Sequence, residues 1–323
     1  MHQITGKTIV GLLLALTTAV LWGILPIALK ILLEVFSATT ITAIRFLVAA
    51  IIVGIWLGLR GKLPELRLIR QPRIAALMAI AIVGLLLNYI LYLSGLNNLT
   101  AETAQTLIQL APFLMMLGGI ILFKERLLLW QQVGAYLLVV GLMLFFNERL
   151  LTLLLQVGSE TWGVLLVIVA AITWAAYALA QKQLLVHYSS KQIMYLIYVA
   201  GTLAFIPVSD FQPVAVLSLL QWSLLLFCCL NTVIAYGAFA EALHHWEASK
   251  VSAVLAITPL ITILSANVVA WLWPALLVPQ QLNLWSWLGA ILVVTGSALT
   301  ALAPQFVQYR AARRSRKLQR DLL

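Results

Sequence analysis

Charged side chains are scarce in this sequence. Asp, Glu, Lys and Arg make up 9% of its 323 residues, while 63% are hydrophobic. A water-soluble fold of this length cannot cover its exterior with so few. Cysteine is scarcer still. The only two, Cys228 and Cys229, are adjacent in an apolar run. Neighbours on a helix point in different directions, and no metal-ligand spacing surrounds them. Small apolar filler is therefore expected, rather than a disulfide or a metal site. Aspartate occurs only at Asp210 and Asp321, too far apart for the clustered aspartates that hold metal-bound diphosphate in a lipid-modifying transferase. His2, His187, His244 and His245 fall at helix ends or tails, away from the buried Ser–His pair an intramembrane serine hydrolase needs. No P-loop pattern occurs, so ATP is not expected as a direct energy source, and no cofactor is indicated.

What is abundant is apolar sequence in runs of about 20 residues, the length that crosses a bilayer. The mean hydropathy is +1.05. An all-α integral membrane protein with ten transmembrane helices is expected, spanning 8–33, 37–59, 73–96, 101–123, 128–147, 161–184, 191–208, 214–241, 251–273 and 284–303. The first run is too long for a signal-peptide core and is read as a retained helix. The net charge of +10 does not point to nucleic acid, because the cations gather at helix ends and in the tail, with no folded basic domain to carry them. With the N-terminus in the cytoplasm, all of the 20 Lys and Arg residues except Lys30, Arg45 and Arg149 fall in inner segments, as the positive-inside rule requires. Both termini are thus expected in the cytoplasm, with a basic tail over 305–323 that can touch anionic lipid.

The chain also repeats itself. Tyr89 to Pro112 returns in degraded form as Tyr236 to Pro259, with Tyr89, Ala101 and Pro112 matching Tyr236, Ala248 and Pro259 at a shift of 147. Gly11, Trp22 and Lys30 match Gly163, Trp174 and Lys182 at 152, and Gly134 and Gly141 match Gly289 and Gly296 at 155. Repeats over 1–150 and 151–304 with five helices each must cross the membrane in opposite senses. Two inverted five-helix repeats around a midplane site are an arrangement many secondary transporters use.

Span four carries the strongest candidate site. Glu102, Gln105, Thr106 and Gln109 fall at i, i+3, i+4 and i+7, on one face. In hydrocarbon their hydrogen-bonding groups would go unmet, so they face protein or a wet cavity. Interhelical bonding is the plainer alternative. Cavity lining is favoured because four polar positions in a row exceed what packing needs. Pro112 ends the stripe, where it kinks the helix or frees a carbonyl, and Pro259 is its counterpart. Asn88 and Tyr92 share a face of span three beside Tyr89, and span eight offers Asn231, Tyr236 and Phe239. Such rings with polar tips suit an amphipathic solute as well as plain packing. Trp22 and Trp174, with Tyr177 three residues on, lie too deep to be interface anchors and wall either a cavity or the seam between halves. Pro26, one turn after Trp22, frees the Trp22 carbonyl.

Arg45 is the one cation well inside a span, where an unpaired charge costs about 2.5–3.5 kcal/mol. It is expected to snorkel outward, or to pair with Glu34 or Glu102 in a structural or gating ion pair, with a substrate-binding role as the alternative. Lys30 and Lys182 are expected to snorkel. Glu241, His244, His245 and Glu247 read as a wet helix end rather than a metal or proton-relay cluster. Trp271, Trp273, Trp285 and Trp287 form an aromatic belt. Gly54 and Gly58, and the 134/141 and 289/296 pairs, mark close helix contacts.

Trp22-Gly23-x-x-Pro26, Arg45-Phe46, Tyr92-x-x-Gly95-Leu96, Ala104 to Pro112, and Glu125-Arg126-Leu127 with Gly134 together resemble the drug/metabolite transporter superfamily, EamA-like branch. The resemblance covers nearly the whole chain. It implies a central cavity between two five-helix halves and export of a small metabolite, amino acid or amphipathic drug across the inner or plasma membrane by alternating access. Substrate-binding residues are then sought among Trp22, Asn88, Tyr89, Tyr92, Gln105, Gln109, Trp174, Tyr177 and Tyr236, and gating or ion-pair residues among Arg45, Glu102, Pro112 and Pro259. The partners expected are a small-molecule substrate and the lipid bilayer, with proton coupling open and no nucleic acid or metal. A membrane-embedded lipid-modifying enzyme is the alternative. In the second half the pattern departs: Gln280 stands where a second Glu would align, and Ala175 follows Trp174 where the pattern has glycine.

Overall fold

The computed structural model describes residues 8–123, 128–148, 158–245, 248–278 and 280–321. The expectations placed on His2, Lys7, Glu125, Arg126, Arg149 and Glu247 lie outside them. With no water to take up N–H and C=O groups in hydrocarbon, these apolar runs satisfy their backbones internally as helices. In chain order the helices are α1 (Thr8–Leu32), α2 (Ala38–Leu59), α3 (Pro72–Asn98), α4 (Ala101–Leu107), α5 (Leu110–Phe123), α6 (Leu129–Phe145), α7 (Ser159–Leu184), α8 (Ser190–Phe205), α9 (Leu219–His245), α10 (Ala248–Leu255), α11 (Thr258–Leu272) and α12 (Leu284–Asp321). Short 3₁₀ turns lie at Leu66–Arg70, Ile206–Val208 and Gln212–Val216. Among the described residues, eight helical segments are long and apolar enough to cross a membrane, and Leu129–Phe145 is apolar but shorter.

Local chemistry sets the helix ends. Ser37, Thr100 and Ser189 are N-caps whose hydroxyls accept from the backbone N–H of Thr40, Thr103 and Gln192, and Pro72 starts α3, where a missing N–H costs nothing. Span eight was expected from residue 214, but the proline-led turn Gln212–Val216 delays α9 to Leu219. The segment expected as a tail continues α12 without interruption to Asp321.

Spans four and nine are both broken. Between α4 and α5, Pro112 has no N–H for the Ile108 carbonyl, which accepts from Ala111 at 2.9 Å instead. Between α10 and α11, Ile257 and Leu260 likewise make tightened bonds, to the Val254 and Ile257 carbonyls. Pro112 and Pro259 therefore sit in the first turn of the second half-helix, where proline is tolerated, and the break lies just before each.

Packing joins α3 to α7, α1 to α9, α2 to α8 and α6 to α12. Glycine permits the closest approach. A Cβ on Gly134 would stand 2.7 Å from the Gly296 carbonyl, and one on Gly141 would stand 2.8 Å from that of Gly289. Gly54 lies against the Tyr195 ring, whereas Gly58 faces open space, so only the first half of that GxxxG pair makes a helix contact. Trp271, Trp273 and Trp285 are exposed around the α11–α12 connection, as a belt would be, while Trp287 packs against the core.

Candidate functional site

The polar face of span four is turned wholly into protein. Gln105 Oε1 accepts from the Tyr92 hydroxyl at 3.0 Å, and Thr106 turns its hydroxyl back to the Glu102 carbonyl at 2.7 Å. Gln109, 5% exposed, sits at the first break and reaches the second. Its Nε2 donates to the Ala256 carbonyl and the Thr258 hydroxyl, both at 3.2 Å, and the Ser297 hydroxyl donates to its Oε1 at 3.4 Å. The Leu260 N–H that would serve Ala256 in an unbroken helix bonds to Ile257, so Gln109 takes up a carbonyl freed by the break.

At the other end of α4, Glu102 is 1% exposed and its Oε1 accepts from the Gln280 backbone N–H at 3.2 Å. Gln280 Oε1 in turn accepts from the Thr100 and Thr103 hydroxyls at 2.9 and 2.6 Å. The connection before α12 is thereby latched onto the start of α4, over a cavity of about 270 Å³ lined by Asn267, Gln280, Gln281, Leu282 and Trp287.

The aromatic candidates gather between α1, α2, α3, α7, α8 and α9. Trp22 packs edge-on against Tyr236 at 5.2 Å and against Phe239 at 5.7 Å, and Trp174 meets Tyr177 edge-on at 6.3 Å. Tyr89 and Tyr236, which correspond at the 147-residue shift, pack in one hydrophobic cluster with Tyr177 and Tyr198. Phe46 braces this cluster, 4.7 Å from Tyr89 and 5.4 Å from Tyr198.

Arg45 overturns its expectation. It neither snorkels nor pairs with Glu34 or Glu102. It is 2% exposed, its Nε–H donates to the Thr232 hydroxyl at 3.0 Å, and its guanidinium lies over the Tyr89 ring at 4.9 Å. The reason is its place on α2, on the side where α9 and Tyr89 of α3 close over it. Lys30 also does more than snorkel: its Nζ donates to the Leu96 and Asn97 carbonyls at 2.9 and 2.8 Å, capping the C-terminal end of α3. Asn88 does not join Tyr92. It donates to the Ala170 carbonyl at 2.9 Å in the α3–α7 seam, while Tyr92 turns to α4. Asn231 donates to the Leu21 carbonyl at 2.7 Å, and its Oδ1 is a buried oxygen without a hydrogen-bond partner among the described residues. The Thr262 hydroxyl donates to the Gly23 carbonyl at 2.6 Å, binding the loosened turn before Pro26 to α11. Glu241 and His245 lie 3.3 Å apart at the end of α9.

Sequence reasoning did not single out Thr232, Tyr198, Thr258 or Ser297. Thr258 was the findable one, as the hydroxyl beside Pro259 where the second break was due. Tyr198 lies on a span with no matched residue in the other half, and Thr232 is 187 residues from the arginine it holds.

The EamA-like transporter family profile matches residues 9–147 and 161–302. The chain is 42% identical over 293 residues to the "Uncharacterized inner membrane transporter YhbE" of Escherichia coli K12, covering 91% of each. It is 40% identical over 304 residues to an "Uncharacterized transporter" of Haemophilus influenzae, covering 94% of this chain and 98% of that one. A crystal structure aligns over 91% of this chain and 97% of its own with a TM-score of 0.61 at 19% identity, a likeness of fold alone.

Proposed function

We propose, from the premise that this chain belongs to the EamA-like transporter family, that it is a secondary transporter exporting a small metabolite, amino acid or amphipathic drug across the inner membrane by alternating access. In this reading ten transmembrane segments form two inverted repeats, 1–150 and 151–304. Both termini and the basic 305–323 segment are cytoplasmic, and the substrate is met between the halves near mid-depth.

The observation that carries the reading is how the repeats meet. Gly134 corresponds to Gly289 and Gly141 to Gly296, yet the contacts run Gly134 to Gly296 and Gly141 to Gly289. Equivalent helices therefore lie antiparallel. The same holds for α2 and α8, where Gly201 abuts Phe46 and Gly54 abuts Tyr195. Broken helices that face each other at the repeat boundary are a recurrent transporter device, because freed backbone groups can be re-paired as the halves rock. Gln109 bonded to Ala256, 147 residues away, ties one break to the other. The Thr100–Thr103–Glu102 grip on Gln280 then serves as the outer gate, and the Trp22, Tyr89, Trp174, Tyr177 and Tyr236 rings as walls of the substrate path.

Counterflow in proteoliposomes over a panel of amino acids and amphipathic drugs tests this. A saturable exchange is expected. Gln109→Leu should reduce it about tenfold, the worth of roughly one buried hydrogen-bonding partner, while folded protein is still recovered. Unchanged flux in that variant would remove the break-to-break contact from the mechanism.

A further inference from the structure

We infer that Arg45 is the anchor for a solute carboxylate, so that the substrates of the site proposed above are small organic acids with an apolar or aromatic body. The inference rests on that transport reading for its meaning, but binding alone tests it. The Nε–H edge, the face and the terminal amino groups of the guanidinium are accounted for differently. Its Nε–H edge is fixed by the Thr232 oxygen. That hydroxyl is itself committed as a donor to the Cys228 carbonyl at 2.8 Å, which leaves a lone pair aimed at Arg45. Its face rests on the Tyr89 ring. Its two terminal amino groups donate to no described residue, and among the described residues no carboxylate pairs with the arginine.

A cation enclosed this deeply is normally paired, because leaving water for an apolar interior penalises an uncompensated charge. Thr232 and Tyr89 orient the charge without neutralising it. What remains free is a planar fork of parallel N–H donors, the shape that binds a carboxylate through two bonds. The surroundings suit the rest of such a solute. The Tyr198 hydroxyl donates to the carbonyl of the same Thr232 at 3.4 Å, and Tyr236, edge-on to Trp22, packs against the hydrophobic cluster that holds Tyr89. Aromatic walls with hydroxyl tips favour an amphipathic acid over an inorganic ion.

The test uses the purified full-length protein in detergent and in halide-free buffer, read by thermal shift. The probes are 3-phenylpropionate, phenylalanine, benzoate and hexanoate, each paired with its amide, with acetate and chloride as further arms. At least one amphipathic carboxylate should raise the midpoint while its amide does not. Arg45→Gln should abolish the response, Arg45→Lys should weaken it about tenfold by losing the planar fork, and Thr232→Val, which keeps the charge, should weaken it several-fold. If Arg45→Gln is not recovered folded, Thr232→Val and Arg45→Lys decide. The proposal is overturned if no carboxylate shifts the midpoint, if the amides act equally, if chloride or acetate alone matches them, or if the variants respond like the parent. Counterflow separates the two readings. Exchange of amines or neutral drugs without any carboxylate response sinks the anion site and leaves transport standing. Carboxylate binding with no exchange of any solute does the reverse.

Discussion

At the two helix breaks the halves of the molecule share a backbone but not a chemistry. Each break lies within one helical turn before a proline, and each tightens into i−3 bonds. In the first half the break carries Gln109, whose amide crosses to the second. In the second half the corresponding residue is Ala256, which can offer only its carbonyl. The seams differ in the same way. Asn88 of α3 donates to Ala170 of α7, and the equivalent crossing between α9 and α1 is made by Thr18, whose hydroxyl reaches the Ala235 carbonyl at 3.3 Å. The positions correspond, 88 to 235 and 170 to 18, but the donor has changed helix. The backbone breaks that position the helices thus occur in both halves, while the side-chain donors Gln109, Asn88 and Thr18 all belong to the first half and the carbonyls they reach to the second. Under the alternating access proposed above, matched helices would allow two related conformations, and unlike side chains would fix one substrate orientation.

The comparison breaks most severely at the glycine crossing. Gly289 leaves no room, since a Cβ there would collide with the Phe145 and Gly141 backbones, whereas Gly58 has nothing within 4 Å. Gly289→Leu should lower stability by about 3 kcal/mol or more, or abolish recovery of folded protein, while Gly58→Leu leaves the melting midpoint in place. Equal tolerance would mean that the halves do not meet there. The break-to-break bond comes next. Gln109→Ala should cost about 1–3 kcal/mol by stranding the Ala256 carbonyl. A double-mutant cycle with Thr258→Val in denaturant or thermal unfolding should give a coupling of about 0.5–1.5 kcal/mol, and a coupling of zero would contradict the contact. The swapped seam donors have the smallest effect. Asn88→Leu and Thr18→Val should each cost about 0.6 kcal/mol, at most about 1.7, as interhelical bonds in membranes do. The two should add without coupling, since they join different helix pairs.

Much of this was legible in the residues. Apolar length gave the helices, the prolines at 112 and 259 gave the breaks, and the glycines at 134, 141, 289 and 296 gave the tightest crossing. These signals are local, or recur at a fixed shift. The partners of single polar groups were not legible. Asn88 and Tyr92 do share a face of α3, but that face is divided between α7 and α4, and spacing along one helix cannot say which neighbour receives which side chain. Arg45 was expected to seek a carboxylate because charge is the strongest term in hydrocarbon. It sits instead against a hydroxyl and a ring, since α9, the helix packed beside it, brings Thr232 to it and carries its acid, Glu241, at the far end.

The central claim, that the second half is an upside-down copy of the first, is tested most directly by labelling one cysteine at a time with an impermeant maleimide in intact cells, with Cys228 and Cys229 replaced. Leu63 follows α2 and Gln212 follows its counterpart α8, and both are exposed. The account predicts that Gln212→Cys labels from outside and Leu63→Cys only after the membrane is opened. Labelling of both positions from the same side would contradict it.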